Sequence, residues 1–267
     1  MLKVAVTGCA GRMGQEICRL VLEHTEMELA GGTEHKSHPL IGSPILPMLG
    51  ILAKGTGPKI SATLDEIIKD IDIVIDFTMP EATMAHLQAI ASAGKGIVIG
   101  TTGFSPEQVK QIESYRDKVR CVRSPNMSVG VNVMFKLLAQ AARSLAGYEI
   151  EIVEIHHKLK KDAPSGTAMR LAEICAAETG RDLSKVGVYG RHGIVGERKP
   201  EEIAVMSLRL GDVVGEHTVI FGGQGERIEI THKAASRKNF AAGAVMAAAW
   251  LGKQKNGLYD MQDVLGL

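Results

Sequence analysis

Charge of one sign is what this 267-residue sequence has least of: 31 Lys and Arg stand against 30 Asp and Glu, a formal net charge of +1, with both signs interspersed. No global basic face results, which argues against nucleic acid or an anionic membrane surface as a partner. Long apolar runs are also missing. None reaches membrane-spanning length, and Met1 leads directly into a strand pattern rather than a signal peptide, so the expected location is cytoplasmic. Cysteine is scarce. Cys9, Cys18, Cys121 and Cys175 form no C-x-x-C pair and fall in helical or strand patterns, which predicts buried free thiols rather than disulfides or zinc ligands. Internal repeats and low-complexity segments are absent as well. What is present is 45% hydrophobic residues, enough for a sizeable core in one large or two small domains.

Glycine carries the first motif. Leu2 to Thr7 reads as a strand, Gly8-Cys9-Ala10-Gly11-Arg12-Met13-Gly14 as a turn, and Ile17, Cys18, Leu20 and Val21 as the apolar stripe of a helix. Strand, glycine turn and helix is the setting in which G-x-x-G-x-x-G binds a dinucleotide. Gly8 permits the tight turn, Gly11 lets the backbone approach a pyrophosphate, and Gly14 lets the helix pack close to the sheet. Arg12 adds a cation for the phosphate. The next strand, from Met27, ends at Thr33-Glu34-His35-Lys36. Glu34 lies about 20 residues past the last glycine, where a carboxylate bonds the adenosine ribose hydroxyls. Glu34 favours NADH, while Lys36, next to His35, offers a cation to the 2'-phosphate of NADPH. Use of both coenzymes is therefore expected.

Residues 37–59 are rich in Pro and Gly and read as an irregular surface excursion. Thr63-Leu64-Asp65-Glu66 has the spacing of a capping box and predicts a short helix to Lys69. Ile71 to Phe77, Gly96 to Ile99 and Val119 to Val122 are buried strands of the kind found where helices cover both faces of a parallel sheet. In such a sheet the ligand crosses the carboxyl ends of the strands. Thr78, Gly100-Thr101-Thr102 and Ser124-Pro125-Asn126-Met127 are thus expected to line the nicotinamide half of the site, although Asp76 to Thr78 taken singly reads as an ordinary turn.

After a long helix from Val129, stopped by Gly147, the strands change character. Ile203 to Leu210, Glu216 to Phe221 and Glu226 to His232 alternate, and the short glycine loops joining them predict antiparallel neighbours. The expected class is α/β: a Rossmann-like doubly wound parallel sheet, then a second α+β domain with an open mixed or antiparallel sheet. An Ala-rich helix from Asn239 to Lys253 suits packing back onto the first domain. The division is then 1–126 plus 239–267 for the dinucleotide and 127–238 for substrate binding and oligomerisation, with hinges near the two crossings. His192, His217 and His232 lack ligand spacing and acidic partners, so no metal site is expected and His217 reads as a sheet-edge feature.

The densest chemistry lies in Glu154 to Ala168, E-I-H-H-K-L-K-K-D-A-P-S-G-T-A. An alternating strand delivers His156 and His157 facing opposite ways. Lys158, Lys160 and Lys161, balanced only by Glu154 and Asp162, make the corner cationic and attractive to a small acid. Ser165-Gly166-Thr167 opens a helix whose free N–H groups and hydroxyls form a carboxylate seat at the same place.

This run resembles the signature of the dihydrodipicolinate reductases, E-x-H-H-x-x-K-x-D-A-P-S-G-T-A, at every fixed position, and the Gly-Thr-Thr-Gly and Ser-Pro-Asn-Met runs resemble that family's nicotinamide loops. The resemblance implies His156 and Lys160 as the proton-transfer pair, and His157, Ser165, Gly166 and Thr167 as holders of a dicarboxylate substrate. It also implies a homotetramer, and a reaction on 4-hydroxy-tetrahydrodipicolinate that passes through an unsaturated cyclic imine in the diaminopimelate route to lysine. Lys160 is the expected general acid, with His156 relaying or positioning the proton. Two other readings share the first domain: a dehydrogenase of another small dicarboxylate or semialdehyde, and a dinucleotide sensor without chemistry. The basic corner is expected to face the nicotinamide ring.

Overall fold

In the computed structural model, which describes every residue except Ala53, Lys54 and Thr56, the first strand, β1 (Leu2–Thr7), buries Val4, Ala5 and Val6 completely. α1 (Arg12–Glu23) follows, burying Gly14, Ile17, Cys18 and Val21, the i, i+3, i+4, i+7 stripe of a helix with one apolar face. After β2 (Met27–Thr33) come α2 (Ile45–Met48) and β3 (Ile60–Ser61), inside the segment expected to be an irregular excursion. That expectation needs correcting among the described residues. Ile45 and Leu49, one helical turn apart, fall on one side and are buried in the first core.

Two 3-10 turns, Leu64–Glu66 and Ile68–Asp70, stand where a capped helix was expected. The Thr63 hydroxyl donates to the Glu66 carboxylate at 3.2 Å and caps no backbone N–H, so the helix has no anchored start. β4 (Ile73–Asp76), α3 (Pro80–Ser92), β5 (Gly96–Ile99), α4 (Pro106–Glu113) and β6 (Arg120–Arg123) continue the alternation of strand and helix. Every residue of β4 and β5 is buried. Each Ile or Val there contributes about 1.5–3 kcal/mol of transfer free energy.

α5 (Val129–Ser144) ends before Gly147, which does not adopt a left-handed conformation; Tyr148 N–H closes a turn onto the Leu145 carbonyl instead. β7 (Glu149–His156) buries Ile150, Ile152, Glu154 and His156 and leaves the alternate residues partly exposed. Next come α6 (Gly166–Glu178), α7 (Leu183–Val186), β8 (Gly187–Val188), β9 (Ile203–Arg209), β10 (Gly215–Gly223) and β11 (Glu226–Ala234). The sheet order is β11-β10-β7-β9-β8. β10 and β11 are antiparallel neighbours as expected, but β9 and β10 are not neighbours at all. β7 lies between them, parallel to β9 and antiparallel to β10. The cause is an anchor: Leu210 N–H donates to the His156 carbonyl at 2.8 Å and Lys158 N–H to the Gly211 carbonyl at 3.2 Å. The loop after β9 is thereby held on the end of β7, and β10 starts on β7's other edge. α5 and α6 cover one sheet face, where Met134, Leu138, Leu171 and Cys175 pack with Ile150, Ile152, Val205, Val219 and Phe221.

α8 (Lys238–Leu251), β12 (Gly257–Tyr259) and α9 (Met261–Leu265) complete the chain. α8 packs on α1, and Gly243 sits so tightly that an added Cβ would lie 1.7 Å from the Met127 carbonyl oxygen. β12 closes a seven-stranded sheet in the order β12-β6-β5-β4-β1-β2-β3, parallel at every pairing. The polypeptide therefore forms two units, Met1–Val129 with Lys238–Leu267, and Gly130–Arg237. All four cysteines are free and buried. Burial pushes the thiols of Cys9, Cys121 and Cys175 up to about 12, which keeps them protonated and unreactive. No helix among the described residues is long and apolar enough to cross a membrane.

Candidate active site

Because all strands of the first sheet run the same way, the loops after their carboxyl ends collect along one edge. Gly8 has a φ of +63°, which side chains rarely tolerate, and a Cβ on Gly14 would meet the Gly8 carbonyl oxygen at 2.1 Å. Gly11 is the N-cap of α1 and no side chain caps it, so the positive helix end is open to an anion. Cys9 is buried and its N–H donates to the Thr33 carbonyl. Ala10 N–H donates to Glu34 Oε1 at 2.8 Å, while Glu34 Oε2 makes no hydrogen bond among the described residues. Met13 is partly buried, and Arg12, His35 and Lys36 are exposed. An uncapped helix start, a turn bounded by Gly8 and Gly11 and a carboxylate with one oxygen to spare fit a dinucleotide.

The remaining loops of that edge are tied to one another. Thr78 Cγ2 would lie 3.2 Å from a Cβ on Gly8, and Thr78 N–H donates to Thr101 Oγ1 at 3.1 Å. The Phe77 ring fills the space a Gly100 side chain would need, with an atom 2.2 Å from the added Cβ. Thr101 is buried, whereas Thr102 and Pro125 are exposed. Ser124 Oγ donates to the Asn126 carbonyl at 2.8 Å, Asn126 Oδ1 accepts from Ser128 N–H at 2.9 Å, and Met127 is buried. Asp76 to Thr78 is not the ordinary turn expected. Asp76 is fully buried and its carboxylate meets Thr78 and His86, a cluster that β4's apolar run gave no sign of beyond its terminal acid.

In the second unit the covered face of β7 ends in two titratable residues. Glu154 is 0% exposed, and Arg209, opposite His156 in the register of β9, lays its guanidinium fork on both carboxylate oxygens at 3.0 Å. His156 Nδ1 lies 2.5 Å from Glu154 Oε2, and Ser165 N–H donates to Glu154 Oε1 at 3.1 Å. Ser165 also caps α6, its Oγ accepting from Ala168 N–H, and stands 3.0 Å from His217 Nε2. The His217 ring meets His156 edge-on at 5.2 Å. Lys160 Nζ donates to both Asp162 oxygens at 2.9 Å. Gly166 and Thr167 are the first residues of α6, and an added Cβ on Gly166 would meet nothing within 4 Å. His157 Nδ1 is buried without a hydrogen-bond partner among the described residues.

Glu154 does not offset the lysines, because Arg209 takes it; a partner 55 residues away leaves no local signal. The available sign was that Glu154 shares the buried period of Ile150 and Ile152, and an inward acid needs a cation. His217 is no mere sheet-edge feature. The pairing of β10 with β7 places it opposite Glu154, inside the same cluster. No group of three or more potential metal ligands exists among the described residues.

Burial pushes the Glu154 pKa up, but the bonds from Arg209 and His156 outweigh it and hold the carboxyl below its usual range. Burial, with the charges of Lys160 and Arg209, lowers His156 despite Glu154. Burial and then His156 push His217 down to about 3 from 6.5. A histidine depressed in the fold stabilises fully above its unfolded pKa and loses that contribution as pH falls. The window here runs from 6.5 down to about 3. Urea unfolding of His217→Gln between pH 6 and 4 is expected to show a slope shallower than the parent's by up to about 1.4 kcal/mol per pH unit, one proton's worth. Identical slopes would count against a neutral buried His217.

The family model described as "Dihydrodipicolinate reductase, N-terminus" matches residues 2–127, and "Dihydrodipicolinate reductase, C-terminus" matches residues 130–265. The 4-hydroxy-tetrahydrodipicolinate reductase of Syntrophobacter fumaroxidans is 48% identical over 268 residues, covering 100% of both chains. That of Anaeromyxobacter dehalogenans is 53% identical over 271 residues, covering 100% of this chain and 98% of its own. Among solved structures, the dipicolinate-bound dihydrodipicolinate reductase from Paenisporosarcina sp. TG-14 superposes with a TM-score of 0.77 at 26% identity over 98% of each chain. With both halves matched and relatives near half identity along its whole length, the chain belongs to the dihydrodipicolinate reductase family, nicotinamide-dependent oxidoreductases that reduce 4-hydroxy-tetrahydrodipicolinate on the diaminopimelate route to lysine.

Proposed function

We propose that the corner from Glu154 to Thr167 seats the dicarboxylate substrate and supplies its proton, and that the glycine edge of the first unit holds the reduced coenzyme. The observation that carries this is a shared carboxylate: Glu154 bonds both the histidine of the proton pair and the backbone of the residue that caps the anion-seating helix. The bound coenzyme supplies a hydride to the unsaturated ring left by loss of water. Gly8 to Met13 cradle the pyrophosphate, Glu34 Oε2 bonds the ribose, and His35 and Lys36 meet a 2'-phosphate when there is one. Thr78, Gly100 to Thr102 and Ser124 to Met127 hold the nicotinamide end.

The first N–H groups of α6, at Gly166 and Thr167, seat one carboxylate together with the Thr167 hydroxyl. Ser165 keeps that helix start in place, and the partnerless Nδ1 of His157 adds a bond to the substrate. Such charge-assisted bonds are worth about 1.5–3 kcal/mol each. Protonation falls to Lys160, held at the corner by Asp162. Because Glu154 is ionised, His156 keeps its proton on Nδ1 and presents Nε2 as an acceptor, suited to orient or relay the proton. We further propose a cytoplasmic homotetramer built through the sheet face that α5 and α6 leave uncovered, where Val153, Ile155, Met206, Leu208 and Ile220 stand partly or largely exposed.

Mixed with freshly made substrate, the protein is expected to bleach the absorbance of both NADH and NADPH, with specificity constants within about a thousandfold, or roughly 4 kcal/mol. A larger gap would remove the case for dual use, and no bleaching with either would remove the assignment itself. Lys160→Ala is expected to lower turnover at least about a hundredfold with unchanged coenzyme affinity; near-normal turnover would overturn its role. Light scattering is expected to give the mass of four chains and a smaller species for Ile155→Glu with Ile220→Glu. A parent protein that scatters as a monomer would rule out the tetramer.

A further inference from the structure

The carboxyl end of β4 holds a buried ionisable group that neither the hydride step nor the proton step uses. Asp76 is fully buried. Its Oδ1 accepts the Thr78 N–H at 2.9 Å and the Thr78 hydroxyl at 2.6 Å, and its Oδ2 lies 2.7 Å from Nδ1 of His86 on α3. Thr101, just past β5, belongs to the same cluster: its Oγ1 accepts from Thr78 N–H at 3.1 Å and from the Thr83 hydroxyl at 2.9 Å, and lies 3.4 Å from Asp76 Oδ1. One carboxylate therefore ties together the loop after β4, one face of α3 and the loop after β5.

A buried charge persists only where donors surround it. Burial pushes Asp76 up, yet the bond and charge of His86 with the Thr78 bonds outweigh it and hold the carboxyl below its usual range. Most of these donors sit in the two loops rather than in the helices that support the sheet. Thr78 also abuts the glycine turn, so the cluster borders the dinucleotide edge directly. His86 is the exception. It reaches in from α3 with its side chain 21% exposed, and fixes the carboxylate from the opposite side.

We propose that Asp76 and His86 are positioning residues that lock Thr78 and Thr101 in one arrangement, so that the loops after β4 and β5 present a preset surface to the nicotinamide half of the coenzyme. The inference rests on the reading of this edge as the coenzyme site. His86 touches neither reactant; it acts through Asp76, whose second oxygen it occupies. Its loss leaves that oxygen buried without a donor and frees the carboxylate to turn, and with it Thr78.

The test compares two substitutions and two ligands. His86→Asn keeps an N–H donor near the place of Nδ1, and His86→Leu removes it at similar size. Calorimetry measures binding of NADH and of ADP-ribose, which lacks the nicotinamide. For His86→Leu, NADH affinity is expected to fall at least about tenfold while ADP-ribose changes less than about twofold, and His86→Asn is expected to recover most of the loss. Unchanged NADH binding in His86→Leu, equal losses for the two ligands, or no recovery in His86→Asn would each overturn the proposal. Should His86→Leu fail to fold, Asp76→Asn, which keeps the size of the side chain but loses its charge, takes its place, and the same NADH-specific loss, or its absence, decides. If the parent protein binds neither ligand, the coenzyme reading fails first and the proposal falls with it.

Discussion

The ion cluster around Glu154 is the constraint on which the corner of the second unit depends. A carboxylate with no solvent exposure survives in a protein only when its oxygens are fully occupied, and here a guanidinium fork, an imidazole and a backbone N–H occupy them. Removing one partner from such a cluster typically costs about 3–5 kcal/mol, because the others are left buried and unbalanced. The pair is weak evidence for stability as such. Its effect is geometric: the end of β7, the end of β9 and the start of α6 are held to one small volume.

That arrangement explains why an apolar sheet face ends in titratable groups. Ile150 and Ile152 pack under the helices, and two residues further along the same face the next positions are Glu154 and His156. At that point the covering helix is only beginning, and its cap is already fixed by Ser165. The first unit follows the same plan. β4 is buried at all four positions and closes in Asp76, whose partners come from α3 and from two strand-end loops. In each unit the strand supplies rigidity up to its end, and a buried acid at or next to that end organises the loops.

How far the sequence could be read depended on how local each cause was. The glycine turn was legible because strand, Gly8 to Gly14 and helix follow one another without a gap: Gly8 takes a positive φ, and Gly14 abuts the Gly8 carbonyl within that stretch. The helix start at Ser165 was legible for the same reason, a capping hydroxyl three residues from the N–H it accepts. The order of the second sheet was not legible. Glycine loops before β10 and β11 look alike in the sequence, but only the second joins neighbours; the first is anchored on the end of β7 and passes to its far edge. Arg209 and His86 carried no signal, and His217 read only as a sheet-edge feature, because each owes its place to strand register or to a packed helix rather than to its neighbours in the chain.

The sequence by itself determined the α/β class, the parallel sheet with its glycine turn, and the run of histidine, lysine and capped helix that marks the family, since all of these rest on periodicity and on contacts within a few residues. Tertiary structure alone decided which charges neutralise one another. Burial makes an ionised side chain seek the best donor in space, and in a folded chain that donor is seldom the nearest in sequence: Glu154 turned from the adjacent lysines to Arg209, and Asp76 to a histidine on the following helix.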